Sequence, residues 1–378
     1  MTETPFSLFA QNGLEPVIDA FKANFSEGLE HGAQFCVYRG DELIIDLHGG
    51  WADLKKSREV TGQTLFSVYS SGKAAAALVI AHLVDQDRIG YDQLVSTIWP
   101  EFAQNGKTEL SIGQVMSHQA GLSGITNPDW SGQDWYDWDK TCAELAAQEP
   151  IFEPGSASGY HPVTYGFLAG EIARRADKDM RTLGQILRED LCAPEGIDAW
   201  VGLPASQMHR CVDMRKPKRL ANLGEINAAT RAAFLSPAAG PDSRSIEKWR
   251  AAEFAGSNCQ ATAKAMAQLM QIAVDGRLGT RQILAEDAIE KLRAPRVSGQ
   301  NLVLPFELTF AAGLMENAPN FFYGPNPKTV GHSGWGGSCV FADPAAGLRG
   351  AYVMNLQENT LLGDKRPRRL IDALYNCL

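Results

Sequence analysis

Apolar residues recur at helical spacing in LEPVIDAFKANFSEGLE, Leu14 to Glu30, which predicts an amphipathic helix. The next stretch, AQFCVYRGDELIIDLHGGWAD, holds two β-rich runs on either side of RGDE and reads as a hairpin. FSVYSSGKAAAALVIAHLV, Phe66 to Val84, then turns almost wholly apolar and predicts a helix from about Ser70 to Gln86 that is fit for burial. From Tyr91 to about Gly279 the signals are mainly helical. CAELAAQ, GFLAGEIARRA, RTLGQILREDL and TAKAMAQLMQIAVDG carry 3.6-type spacing, separated by long irregular runs. From about Asn301 the pattern changes: FELTFAAGLM, SCVFAD and GLRGAYVMN read as strands, and PRRLIDALYNCL as a closing helix. α and β signals at both ends therefore bracket a helical middle. The simplest architecture is α/β plus all-α: a sheet built from both chain ends, residues 1–92 and 285–378, flanked by helices, with a mainly helical lobe, 93–284, inserted between them. A cleft between two such lobes is the usual place for a small-molecule site.

Composition narrows the classes. The 378 residues are 44% apolar and 21% charged, which is ordinary globular usage, and the net charge of −9 leaves no basic footprint for nucleic acid. Seven cysteines are scattered without a C-x-x-C pair, which fits free thiols in a reducing compartment better than a disulfide framework. Seven histidines are equally dispersed, with no metal-ligand spacing. The opening residues have no basic and apolar signal-peptide pattern, and no apolar run reaches the roughly 18 residues of a membrane span. The expectation is a cytoplasmic enzyme without membrane partner or cofactor, its oligomeric state open. Phosphate and dinucleotide loops are missing: NGKT at Asn105–Thr108 lacks the P-loop's upstream glycine, and no G-x-G-x-x-G opens a helix. G-x-S-x-G is also missing, which argues against an α/β-hydrolase elbow.

Three places carry candidate chemistry. Ser70-Ser71-Gly72-Lys73 fits S-x-x-K, and on a helix positions i and i+3 share a face. A serine at the first turn feels the positive end of the helix dipole, and a lysine in apolar company can lose its proton and serve as a base. The pattern is common by chance, but the apolar run behind it takes Lys73 off a solvated face. Ser67 and Ser71 have no comparable claim and read as helix-start residues. Tyr160, after a Pro-Gly turn and before a helix, is a second candidate; a buried tyrosine with a satisfied hydroxyl is the commoner fate. Tyr165 is its rival, but it lies inside a helical pattern that suggests packing. Third, His332-Ser333-Gly334 precedes a strand-like run with Gly336 and Gly337 close behind. Such glycines let backbone approach a ligand, and a free N–H there suits an oxyanion.

The order S-x-x-K, then Tyr, then His-x-Gly is more specific than any one part. With it the chain resembles the serine β-lactamase and penicillin-binding-protein superfamily, in its class C-like branch, over most of its length. LSIGQVMSHQAGLSG is similar to the family's segment with His118, Gly121 and Leu122, and PGSASGYHPVTYGFLAG to its second motif. The resemblance implies an antiparallel sheet with an inserted helical lobe. It implies Ser70 as nucleophile, Lys73 and Tyr160 sharing the base role, an oxyanion hole from the backbone N–H groups of Ser70 and Trp335, and His332, Ser333, Gly334 and Trp335 as a third, substrate-binding motif.

Two departures point to a subfamily. Pro162 stands where the family has an asparagine, and it cannot offer that residue's amide hydrogen bonds to a β-lactam side chain. His332 stands where β-lactamases have lysine, and a neutral imidazole is a weaker partner for the β-lactam carboxylate. The H-S-G-W-G-G run resembles the family VIII carboxylesterases of this fold. The expected activity is hydrolysis of short-chain carboxylic esters through an acyl-enzyme on Ser70. β-Lactamase or D-Ala-D-Ala peptidase activity, acyl transfer, and a non-catalytic scaffold are the alternatives. Trp335, the aromatics of DWSGQDWYDW (Asp129–Trp138) and those of FFYGP (Phe321–Pro325) are candidates for an apolar pocket wall, with loop packing as the other reading.

Overall fold

The computed structural model of the chain describes residues 3–378 apart from 218, 220 and 237. GAQFCVYR, Gly32–Arg39, is buried along all but its last residue, the pattern of a strand covered on both faces. Phe35 and Val37 point to one hydrophobic cluster, Cys36 and Tyr38 to another, as a period of two requires. Leu348–Met354 behaves the same way: Leu348, Tyr352 and Met354 face one side, Ala351 and Val353 the other. These two strands pair side by side in the interior of a nine-stranded antiparallel sheet. Its order is Phe6–Ala10, Glu42–Gly50, Gly32–Arg39, Leu348–Met354, Cys339–Asp343, Val330–Ser333, Met315–Glu316, Glu307–Phe310 and Val297–Gln300. The sheet is thus assembled from both chain ends, as expected from the sequence.

One face is covered by α1 (Glu15–Ser26) and the C-terminal helix Lys365–Cys377, through Val17, Phe21, Leu370, Ile371 and Leu374. The other face carries helix Ala263–Leu269, which lies against Gly32–Arg39 and Leu348–Met354. The last helices of the 93–284 segment therefore cover the sheet. Next to them runs α2 (Lys73–Asp85), buried on all its sides from Lys73 to Ala81. Its alanines let it approach α5 (Thr164–Ala176) closely; α3 (Ile112–Met116) and α4 (Trp138–Ala147) complete the packing around α5.

Several local expectations change. The first strand, Phe6–Ala10, was not foreseen; five half-exposed residues on a sheet edge are too few to show a period. The first helix stops at Ser26, short of Glu30. TAKAMAQLMQIAVDG is interrupted at Met270 and forms two helices, Ala263–Leu269 and Gln271–Asp275. His332 and Ser333 end a strand of their own, and Gly334 to Gly337 turn into the next.

Arg366, in the first turn of the C-terminal helix, is fully buried. It pairs with Asp364 at 2.8 Å and with Glu30 at 3.4 Å, and donates to the carbonyls of Leu29 (3.2 Å), Leu356 (2.6 Å) and Gly336 (2.5 Å). It thereby ties the end of α1, the end of the central sheet and the turn after Trp335 to the C-terminal helix. Arg366→Ala leaves two buried acids and three carbonyls without this partner. Chemical denaturation should show a loss of about 3–5 kcal/mol in stability.

Candidate active site

Ser70 sits in a single 3₁₀ turn, Tyr69–Gly72, that leads directly into α2. Tyr69 adopts φ +48, a left-handed conformation uncommon for a bulky residue, at the position just before the serine. The turn is anchored on both sides. Val68 N–H donates to Cys259 O at 2.9 Å. Val68 O accepts from Ser71 N–H at 3.2 Å and from the Ser338 hydroxyl at 2.7 Å. Ser71 Oγ in turn meets Ser338 Oγ at 3.0 Å and donates to His332 O at 3.3 Å. Ser71, read from the sequence as a helix-start residue, is therefore the cross-link between the serine turn and the strand Val330–Ser333. Gly334 is required by the same contact: a Cβ there would lie 2.2 Å from Ser338 Oγ and 2.4 Å from Val68 O. The N–H groups of Ser70 and Trp335 have no backbone acceptor among the described residues. For Ser70 this follows from its place at the head of a helix.

Lys73 is wholly buried, and its Nζ has three polar neighbours: Gly256 O at 2.7 Å, Pro162 O at 2.8 Å and Ser70 Oγ at 3.1 Å. No carboxylate is among them. Desolvation pushes its pKa well below the ordinary lysine value. A neutral amine has two N–H bonds and one lone pair. The two carbonyls can only accept, so they take both N–H groups and leave the lone pair facing the serine hydroxyl. Pro162, chosen from the sequence for the amide it lacks, contributes its backbone carbonyl instead.

Tyr160 is positioned by Asn301, whose Oδ1 accepts from the Tyr160 N–H at 3.1 Å. Its ring centre is 4.8 Å from Lys73 Nζ. Burial raises its pKa, and a hydrogen bond with Ser70 pulls weakly the other way. The phenol therefore keeps its proton at neutral pH. Tyr165, the rival, is also buried, with its ring centre 5.4 Å from the same Lys73 Nζ and a hydroxyl without a partner among the described residues.

Three buried histidines surround Tyr160. His332 Nδ1 lies 2.9 Å from Ser333 O and must carry the proton there, and Nε2 is buried without a partner among the described residues. Burial pushes its pKa well below the ordinary imidazole value, so the ring is neutral. His161 Nε2 accepts from Leu122 N–H at 3.1 Å, so its Nδ1 donates to His118 Nδ1, 3.1 Å away. The His118 ring, in a residue at φ +65, packs 4.8 Å from that of Tyr160. His161, inside the second motif, was given no role from the sequence, and Asn301 was passed over altogether; no motif marks Asn301, and only the fold brings it to Tyr160.

In front of Ser70 opens a cavity of about 670 Å³, bordered by Tyr69, Tyr160, Trp249, Phe234, Ser333 and Trp335 among others. Ser333 and Trp335 of the third motif thus reach the cavity. His332 and Gly334 lie behind it, the histidine turned to Tyr160 at 6.1 Å between rings. Tyr69 stands between Trp335 (5.7 Å) and Trp249 (6.0 Å). The other proposed aromatic walls do not border the cavity. Trp130 and Trp135 pack on each other, and Trp135 and Tyr136 bond to the carbonyls of Ala238 and Asp242, so they support the segment that does. Phe322 and Tyr323 pack beside the strand end, where the Tyr323 hydroxyl meets Ser333 Oγ at 3.0 Å.

A serine facing a buried, uncharged lysine beside a protonated phenol, on a mixed α/β scaffold with a large antiparallel sheet, defines a serine hydrolase of the β-lactamase-like fold. The family model Beta-lactamase matches residues 21–375, and the chain belongs to this family. Among curated proteins it is 31% identical over 362 residues to esterase/beta-lactamase LipL of Mycobacterium tuberculosis, covering 90% of this chain and 80% of that one. A penicillin-binding-protein homologue from Caulobacter crescentus superposes with a TM-score of 0.95 at 48% identity, over 99% of this chain and 100% of the other. A family VIII carboxylesterase superposes with a TM-score of 0.90 at 39% identity, again over 99% and 100%.

The lysine's state has a thermodynamic signature. The folded chain holds Lys73 unprotonated where the unfolded chain protonates it, so unfolding takes up a proton between the depressed pKa and the ordinary value of 10.5. Stability relative to Lys73→Met should rise with pH across that window, by up to about 1.4 kcal/mol per pH unit. Urea denaturation of both proteins from neutral pH to pH 10 measures this; a pH-independent difference would mean a protonated Lys73.

Proposed function

We propose that the protein is a carboxylesterase acting through an acyl-enzyme on Ser70. The observation that carries this reading is the buried Lys73 Nζ 3.1 Å from Ser70 Oγ, held by the carbonyls of Pro162 and Gly256 with no carboxylate beside it. Ser70 Oγ bonds to the ester carbonyl carbon while Lys73 Nζ takes its proton. The carbonyl oxygen becomes an oxyanion held by the N–H groups of Ser70 and Trp335, an arrangement worth about 3 kcal/mol per donor. Collapse breaks the bond to the alkoxide, which receives a proton from Tyr160. Lys73 returns its proton to the phenol oxygen. Water then attacks the acyl-enzyme through the same pair, releasing the acid and restoring Ser70. The two groups titrate as a unit, so the pH profile belongs to the pair.

The esterase reading is favoured over β-lactam hydrolysis by two residues. His332 is uncharged and turned to Tyr160, so it offers no ammonium to a β-lactam carboxylate. Pro162 presents a carbonyl that is already used by Lys73. The esterase names of two relatives agree. β-Lactam hydrolysis is the second reading, supported by the double name of LipL. The cavity of about 670 Å³ lies in the range of sites for drug-sized ligands, which extends the substrates from short chains to medium acyl chains and aromatic alcohols.

Initial rates on p-nitrophenyl esters of two to eight carbons, beside nitrocefin, test both readings. Ester turnover should exceed nitrocefin turnover by at least about a hundredfold, and Ser70→Ala should lose at least about a thousandfold of it. Undiminished ester hydrolysis by Ser70→Ala would end the mechanism, and comparable nitrocefin rates would favour the second reading.

A further inference from the structure

Most of the cavity wall is apolar, yet Arg250 is part of it. It lies on the short helix Ile246–Ala251, next to Trp249, and is only 8% exposed. Its Nη2 donates to Val212 O at 2.6 Å, while Nε is buried without an acceptor among the described residues. Arg366, similarly buried, meets two carboxylates; Arg250 meets none among the described residues. Lys73 answers burial by giving up its proton, but a guanidinium cannot do so. Its charge therefore persists in a largely apolar wall and calls for an anion from outside the chain. The other charged residues at the cavity, Asp213 and Lys216, are exposed at its rim and opposite in sign. Ser70 and Arg250 line the same cavity, and the residues that precede them, Tyr69 and Trp249, pack ring against ring at 6.0 Å.

We propose that Arg250 binds a carboxylate of the substrate, so that the preferred substrates are esters carrying a carboxylate several bonds from the scissile carbonyl, such as monoesters of dicarboxylic acids. This rests on the esterase reading and names its substrate class. A guanidinium whose donors are only partly used suits a carboxylate, and a charge-assisted hydrogen bond in an apolar wall is stronger than one in water. A remote anchor of this kind acts chiefly on KM.

The test compares the p-nitrophenyl monoester of adipic acid with p-nitrophenyl hexanoate, and 4-acetoxybenzoate with its methyl ester. The first pair places the carboxylate on the acyl side, the second on the leaving alcohol. The readout is the anionic-to-neutral ratio of kcat/KM, corrected for spontaneous hydrolysis, in wild type and Arg250→Gln. In at least one pair the ratio should fall about ten- to one-hundredfold in Arg250→Gln, mainly through KM. A ratio that is unchanged in both pairs overturns the proposal. Calorimetry of adipate against adipamide on Ser70→Ala keeps the question answerable if Arg250→Gln does not fold or no ester is turned over. Binding of adipate that weakens with salt, without binding of adipamide, supports the carboxylate site. Equal binding of the two, or none, overturns it. Failure of wild type to hydrolyse any of the esters above the Ser70→Ala rate defeats the esterase reading alone.

Discussion

The constraint on which the site depends is the burial of one lysine without a counter-ion. Placing Lys73 at the start of a helix packed on every side removes the water that would hold its charge. A carboxylate nearby would have restored the ammonium and removed the base. Two backbone carbonyls satisfy the amine's hydrogen bonds without doing so, and they orient the lone pair as well. Desolvation sets the protonation state and hydrogen bonding sets the direction. Neither alone would make the serine reactive.

The site is a junction of distant segments. Gly256 O and Pro162 O, which hold Lys73, come from parts of the chain far from it in sequence. Ser71 and Ser338 join the serine turn to the strand that ends in Ser333, and Arg366 holds the turn after Trp335 through Gly336 O. The two N–H groups assigned to the oxyanion thus sit on backbone fixed from opposite sides. Preorganisation of this kind is what lets donors act on a developing charge without paying to reorient.

Charge is handled in two ways around the cavity. Lys73 and His332 are held neutral by burial, which also raises the pKa of the already neutral Tyr160 phenol. Arg250 cannot be held neutral, and on the roles proposed above that difference separates the groups that would move protons from the buried group that would hold a fixed anion. On the proposal above, a largely apolar wall with one buried cation would select by charge and leave shape to the loops.

The sequence by itself determined the parts whose signals are local. The hairpin at 32–50 and the late strands follow from their β-rich runs, and the helix after Ser70 from a long apolar run, because each is a local signal. The order of S-x-x-K, Tyr160 and His332-Ser333-Gly334 identified the family and selected Ser70 over Ser67 and Ser71. Its edge strand Phe6–Ala10 is too short to show a period, and the break at Met270 sits in a run that is helical by every local measure. Only the tertiary structure decided which groups touch. Ser71 became a cross-link, Pro162 a carbonyl ligand and His332 a buried neighbour of Tyr160, while the aromatics of 129–138 went to packing. Those outcomes depend on long-range contacts and on desolvation. Both are properties of the assembled interior, where a residue's surroundings come from segments that its own sequence neighbours do not encode.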